Sequence, residues 1–142
     1  MQRREFLSAG CAWCVSAIAA APLLAGCAAA YHAAPIDGSD LLVPLGAFSS
    51  GGGATHNFVI VENDRLLYPI CLFRIDPETF RALWLRCTHK GGTLQVTGDE
   101  LECPSHGSVF DSEGSVREGP AQQNLRTFPV RKDGDLLRIS LK

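Results

Sequence analysis

Residues 83–111 read LWLRCTHKGGTLQVTGDELECPSHGSVFD, and the organisation of the chain can be worked out from them in both directions. The runs LWLRC, TLQV, ELEC and SVF are short and apolar or alternating, and Thr97, Gly98 and Asp99 stand between TLQV and ELEC. Brief runs bounded by such residues read as strands joined by tight turns. Upstream the same pattern gives LLVPLGAF (41–48), HNFVIV (56–61), RLLYPICLFRI (65–75) and FRALWLRC (80–87). Downstream it gives RTFPVR (126–131) and LLRISL (136–141), with Ser112-Glu113-Gly114 and Asp133-Gly134 as further turns. No stretch carries three turns of helical periodicity, and Asp76-Pro77-Glu78 predicts one short helical turn. The expected fold is therefore all-β, with antiparallel sheets in a small sandwich or barrel-like arrangement.

Two of these strands run into residues that bind metals. Cys87-Thr88-His89 follows WLR, and thirteen residues later Cys103-Pro104-Ser105-His106 follows ELE. Two similar loops would bring two thiols and two imidazoles to one place, a donor set that suits zinc or an iron–sulfur cluster. Structural zinc sites usually pair cysteine with cysteine and histidine with histidine at short spacing. Here each loop carries one of each.

At these residues the sequence resembles the Rieske [2Fe–2S] family. Cys87, Thr88, His89, Lys90 and Gly91 match its first cluster loop, and Cys103, Pro104, Ser105, His106, Gly107 and Ser108 its second. Gly119, Pro120, Ala121, Asn124 and Leu125 resemble the proline loop that covers the cluster. The resemblance implies a three-sheet β domain and one [2Fe–2S] cluster per chain. Cys87 and Cys103 would hold one iron, and His89 and His106 the other, at an exposed tip where an electron leaves and a proton can follow. Two ferric ions, two sulfides and two thiolates sum formally to zero, so an added electron is accepted more readily than by a four-cysteine cluster. Potentials in the family run from roughly −150 to +300 mV, against about −400 mV for plant-type ferredoxins. Ser108 stands where high-potential members place a hydroxyl toward a cluster sulfide, but Phe110 stands where they often carry tyrosine. A mid-range potential is the expectation. Gly92 and Ser105 occupy the positions where respiratory members carry a loop-tying disulfide, and Lys90 replaces an apolar residue of the quinone-facing tip. Both departures weigh against quinol oxidation.

The first thirty residues read as an address. Arg3, Arg4, Glu5, Phe6 and Leu7 resemble the twin-arginine export pattern, and residues 11–30 carry no charge. Leu24-Ala25-Gly26-Cys27 resembles a lipobox, which implies cleavage before Cys27 and lipid modification of that thiol. The alternative keeps residues 11–30 as a transmembrane anchor. Cys11 and Cys14 lie inside the apolar run and read as small hydrophobes. The expected organisation is a signal segment over 1–27, a linker over 28–40 and the Rieske-type domain over 41–142, on the extracytoplasmic side of a bacterial membrane.

Composition narrows the function classes. The chain has 142 residues, 46% hydrophobic and 20% charged, with 13 Lys+Arg against 15 Asp+Glu. That describes one folded domain with no cationic surplus for a nucleic-acid backbone. The leading expectation is a membrane-tethered one-electron carrier that works with a redox partner protein or quinol, not a stand-alone enzyme. Alternatives are the iron–sulfur subunit of a quinol–cytochrome c oxidoreductase, the small subunit of a periplasmic oxidoreductase, and a zinc-stabilised β domain. An aromatic-ring oxygenase would need a second, iron-bearing domain. Ser49–Ala54, SSGGGA, reads as a flexible loop, Cys71 as a buried inert thiol and Trp84 as core.

Overall fold

FVIVE (58–62) and ICLFR (70–74) lack the in–out alternation of a strand that faces water, and their central residues are all buried. Strands apolar on both faces need a packed layer on each side. The computed structural model describes residues 29–142 and shows how both layers are supplied. Its strands are β1 (Ala30–Ala33), β2 (Ile36–Asp37), β3 (Asp40–Pro44), β4 (Phe58–Glu62), β5 (Ile70–Arg74), β6 (Phe80–Trp84) and β7 (Gln95–Thr97). They continue as β8 (Glu100–Glu102), β9 (Val109–Asp111), β10 (Val116–Glu118), β11 (Thr127–Phe128), β12 (Val130–Asp133) and β13 (Leu136–Ser140).

Three sheets result. The central one has the order β1-β4-β5-β6-β11, and the others β10-β9-β8-β7 and β12-β13-β3-β2. Because side chains alternate along a strand, each central strand feeds two cores. Val59, Val61, Ile70, Leu72 and Ala82 point to one face and pack with Leu41, Val43, Leu137 and Ile139 of β3 and β13. Ile60, Cys71, Phe73 and Leu83 point to the other and pack with Leu101 and Phe110 of β8 and β9. Cys71 is fully enclosed in that second core, and burial pushes its thiol well above the ordinary value, which keeps it protonated and unreactive.

The all-β expectation is met, with local differences that have physical causes. Ala30–Ala33 pairs parallel with β4, an exception among otherwise antiparallel ladders. This also corrects the reading of 28–40 as a linker. From Ala30 onward that stretch belongs to the sheets, since β2 pairs with β3 and the Asn63 side-chain amide donates to the Ala34 carbonyl at 2.8 Å. LLVPLGAF is a strand only to Pro44 and then a 3₁₀ turn over Leu45–Phe48. RTFPVR splits at Pro129, which has no N–H to donate, so β11 joins the central sheet and β12 an outer one. At Asp76 there is no helical turn: its carboxylate accepts from the Glu78 and Thr79 N–H groups, closing an Asx turn. The Thr79 side-chain hydroxyl first, and then the Glu78 N–H, hold the Asp76 carboxyl below its ordinary value. SSGGGA is tied by Ser50 and Gly53 amide bonds to Ala54 and Ser50 carbonyls. The twin-arginine pattern, the apolar run and Cys27 lie outside the described residues. Among those described, no helix is long and apolar enough to cross a membrane.

The two cores make a stability prediction. Leu72→Ala in the first and Phe110→Ala in the second should each lower unfolding free energy by about 2–5 kcal/mol. Tyr31→Ala, at a side chain 68% exposed, should change it by less than about 0.5 kcal/mol. Denaturant midpoints of the three variants check this.

Candidate metal centre

Beyond β6 and β8 the chain makes the same turn twice. The Gly91 N–H donates to the Cys87 carbonyl at 2.9 Å, and the Cys87 N–H to the Gly92 carbonyl at 2.7 Å. In the second loop the Gly107 N–H donates to the Cys103 carbonyl at 2.8 Å, and the Cys103 N–H to the Ser108 carbonyl at 2.8 Å. Gly91 and Gly107 hold equivalent positions with φ of 82° and 76°, a left-handed conformation that closes each loop and that side chains resist. The C-x-x-x-G spacing visible in both loops is thus the spacing of a turn. The histidine stands two residues after the cysteine in one loop and three in the other.

The loops face each other, with donors sorted by depth. Cys87 and Cys103 are each 1% exposed in the second core, whereas His89 is half-buried and His106 exposed. The imidazole rings meet edge to face with centroids 5.0 Å apart. For the Cys103 thiol, burial raises the pKa. The Ser105 N–H, the Cys87 thiol, the His106 N–H and the Ser105 hydroxyl outweigh burial and hold it below its ordinary value. A second loop that points N–H groups at a sulfur stabilises thiolate, the form that binds metal. The donors therefore stand as a thiol pair below and an imidazole pair above. Among the described residues no three His, Cys, Asp or Glu side chains are grouped to hold one ion. A mononuclear zinc needs four donors within about 2.0–2.3 Å of one centre. A two-iron group asks for pairs.

Surrounding contacts hold the loops. Ser108 is fully buried, and its hydroxyl oxygen accepts the Ala121 N–H at 3.0 Å, joining the second loop to the 119–125 segment. The Thr88 hydroxyl donates to the Gln123 carbonyl at 2.6 Å and joins that segment to the first loop. Pro120 lies exposed beside Thr88 and His89 in a shallow groove, also lined by Gln122 and Gln123. A Cβ on Gly92 would lie 3.1 Å from the Ser105 hydroxyl oxygen and 3.9 Å from its Cβ, so these two residues face each other across the loops without a thiol at either. Sequence reasoning did not single out Tyr68, whose hydroxyl donates to the Gly91 carbonyl at 2.5 Å, or the Arg86 guanidinium beside Gly91. Tyr68 lies twenty-three residues from Gly91, and no local pattern links them.

Known proteins are similar to this chain in sequence and fold. The Rieske [2Fe-2S] domain matches residues 50–129. The cytochrome b6-f complex iron-sulfur subunit 2 of Trichormus variabilis is 30% identical over 111 residues, 75% of this chain and 56% of that one. The ferredoxin component of the naphthalene 1,2-dioxygenase system of Pseudomonas aeruginosa is 32% identical over 76 residues, 51% of this chain and 72% of that one. Among solved structures, the Sphingomonas yanoikuyae B1 ferredoxin superposes with a TM-score of 0.52 at 24% identity, covering 71% of this chain and 96% of that one. The chain spans about half the length of the cytochrome b6-f subunit that it matches.

Two substitutions test the supports. Ser108→Ala leaves the buried Ala121 N–H without its acceptor and should cost about 1–3 kcal/mol. Tyr68→Phe should cost about 0.5–1.5 kcal/mol and speed amide exchange in residues 88–92. Denaturation and hydrogen exchange on the same samples read both effects.

Proposed function

The chain belongs to the Rieske [2Fe-2S] family, whose cofactor is a single [2Fe–2S] cluster, and on that footing we propose that it is a one-electron carrier. The cluster would be held by Cys87 and Cys103 on the inner iron and by His89 and His106 on the outer one. The sorting by depth, with buried thiols and outward imidazoles, carries this reading. When bound, the cluster supplies a site that takes up and releases one electron at a potential set largely by its ligands.

The protein's own residues would do the rest. Leu85, Leu94, Leu101 and Phe110 enclose the thiol side and keep water from it. The Ser105 and His106 N–H groups stabilise negative charge on the Cys103 sulfur, which favours ligation and eases reduction of a neighbouring metal. Ser108 sits beside Cys103 with its oxygen already accepting from Ala121, leaving its own proton free to donate inward. Phe110 in the adjacent strand offers no such donor, and the combination supports a mid-range potential. His89 and His106, at the surface, give the electron its shortest way out.

The setting is proposed on the N-terminal sequence. Arg3-Arg4, the apolar run and Leu24–Cys27 support export in the folded state and attachment through a lipid on Cys27, or through an uncleaved helix, with the domain on the extracytoplasmic side. Tethering beside a redox partner suits a carrier of this size. A second reading, the iron–sulfur subunit of a quinol–cytochrome c or b6-f type complex, is favoured by Ser108, the 119–125 segment and the Trichormus relative. The facing Gly92 and Ser105, neither a thiol, and the exposed Lys90 support the carrier, or the small subunit of a periplasmic oxidoreductase, instead.

Voltammetry of the reconstituted protein tests the proposal. A reversible one-electron wave between roughly −150 and +300 mV is expected, with about two irons per chain. Cys87→Ser and His89→Ala should abolish both, and Cys71→Ala should keep them. Retention of iron and wave in Cys87→Ser would refute the ligand assignment.

A further inference from the structure

Next to the first loop lies a cationic–aromatic surface that the cluster reading does not use. Trp84, half-buried at the end of β6, has the Arg86 guanidinium 5.6 Å and the Arg126 guanidinium 5.8 Å from its ring centroid. Its edge meets Tyr68 at 5.6 Å, and the Tyr68 hydroxyl bonds to Gly91 of the loop. Arg86 also lies 6.0 Å from the Tyr68 ring, and Arg126 4.6 Å from that of Phe128. Both arginines are exposed. Arg81, Arg117, Arg131, Lys132 and Arg138 each have a carboxylate at ion-pair distance, whereas among the described residues Arg65, Arg74, Lys142, Arg86, Arg126 and the loop's own Lys90 have none; of these, Arg86 and Arg126 share one ring, and Arg126 also donates to the Leu141 carbonyl at 3.4 Å.

A guanidinium resting on a ring is held in place and still presents N–H donors at its edge, the fork that carboxylates accept. Two such forks on one indole form a fixed donor site for carboxylates, three residues from Cys87, on a chain whose formal net charge is −2. Local positive charge on a net-negative protein steers a partner to one face. We propose that Arg86, Trp84 and Arg126 form the docking surface for a redox partner protein that presents a cluster of carboxylates. This rests on the electron-carrier reading and specifies where the partner sits. An anionic bilayer is the poorer fit, since membrane attraction draws on clusters of 4–8 cations and this face has two with Lys90 nearby.

The test separates docking from the cluster. A fluorescein-labelled polyglutamate peptide is titrated into the holoprotein by anisotropy at low and high ionic strength. Arg86→Glu/Arg126→Glu should weaken binding by about tenfold or more, and added salt should remove most of the difference. The control Arg117→Glu/Arg131→Glu makes the same charge change and should weaken binding by less than about threefold. Arg86→Gln/Arg126→Gln, which keeps a planar amide against the ring, should also weaken it and guards against misfolding of the reversed pair. Oxidation of the reduced cluster by ferricyanide, one electron to give ferrocyanide, should slow severalfold in the reversed pair, and oxidation by hexaamminecobalt(III) should quicken. Equal losses in the reversed and control pairs would overturn the proposal in favour of net charge alone. So would patch-dependent binding to phosphatidylglycerol vesicles with none to the peptide. A protein that takes up no iron and still discriminates between the pairs would refute the carrier reading and leave the cationic docking site standing.

Discussion

Burial of both faces of β4, β5 and β6 is the constraint on which the rest depends. Neither face can be left to water, so an outer sheet covers each, and the candidate ligand loops join β6 to the second of these and β8 to β9 within it. The thiols of Cys87 and Cys103 are thereby part of a core, packed with Leu83, Leu101 and Phe110. A site embedded this way gains rigidity from apolar packing that also stabilises the fold. The imidazoles, two and three residues further round the same turns, lie further out, His89 half-buried and His106 exposed.

That arrangement explains how two loops hold together without a covalent tie. Each is closed by its own pair of backbone bonds, and the 119–125 segment bridges them through Ser108 below and Thr88 above. Tyr68 adds a bond from the β4–β5 connection to Gly91. Gly92 and Ser105 face each other across the loops with no thiol at either, so the loops rely on hydrogen bonds. The loops' stability is then additive over several weak links, each of which contributes on the order of 1 kcal/mol.

The sequence made the candidate ligand residues legible because their spacing is local. C-x-x-x-G states the turn, the preceding alternating run states the strand, and TGD states the hairpin that brings the two together. The all-β class and most strands were readable for the same reason. What escaped was decided over distance. Nothing in AYHA (30–33) or in Ile36–Asp37 marks strands, because their pairing comes from an open edge of β4 and from β3. Pro129 looked like the middle of one strand, and its missing donor divides two sheets. Trp84 reads as core, and only the fold brings Arg126, forty-two residues later, onto its ring.

Electron paramagnetic resonance of the dithionite-reduced protein, with iron, sulfide and zinc measured on the same sample, tests the central claim most directly. The account predicts a rhombic signal from a mixed-valence iron pair, with an average g below the free-electron value and about two irons per chain. A silent spectrum with one zinc per chain would contradict it.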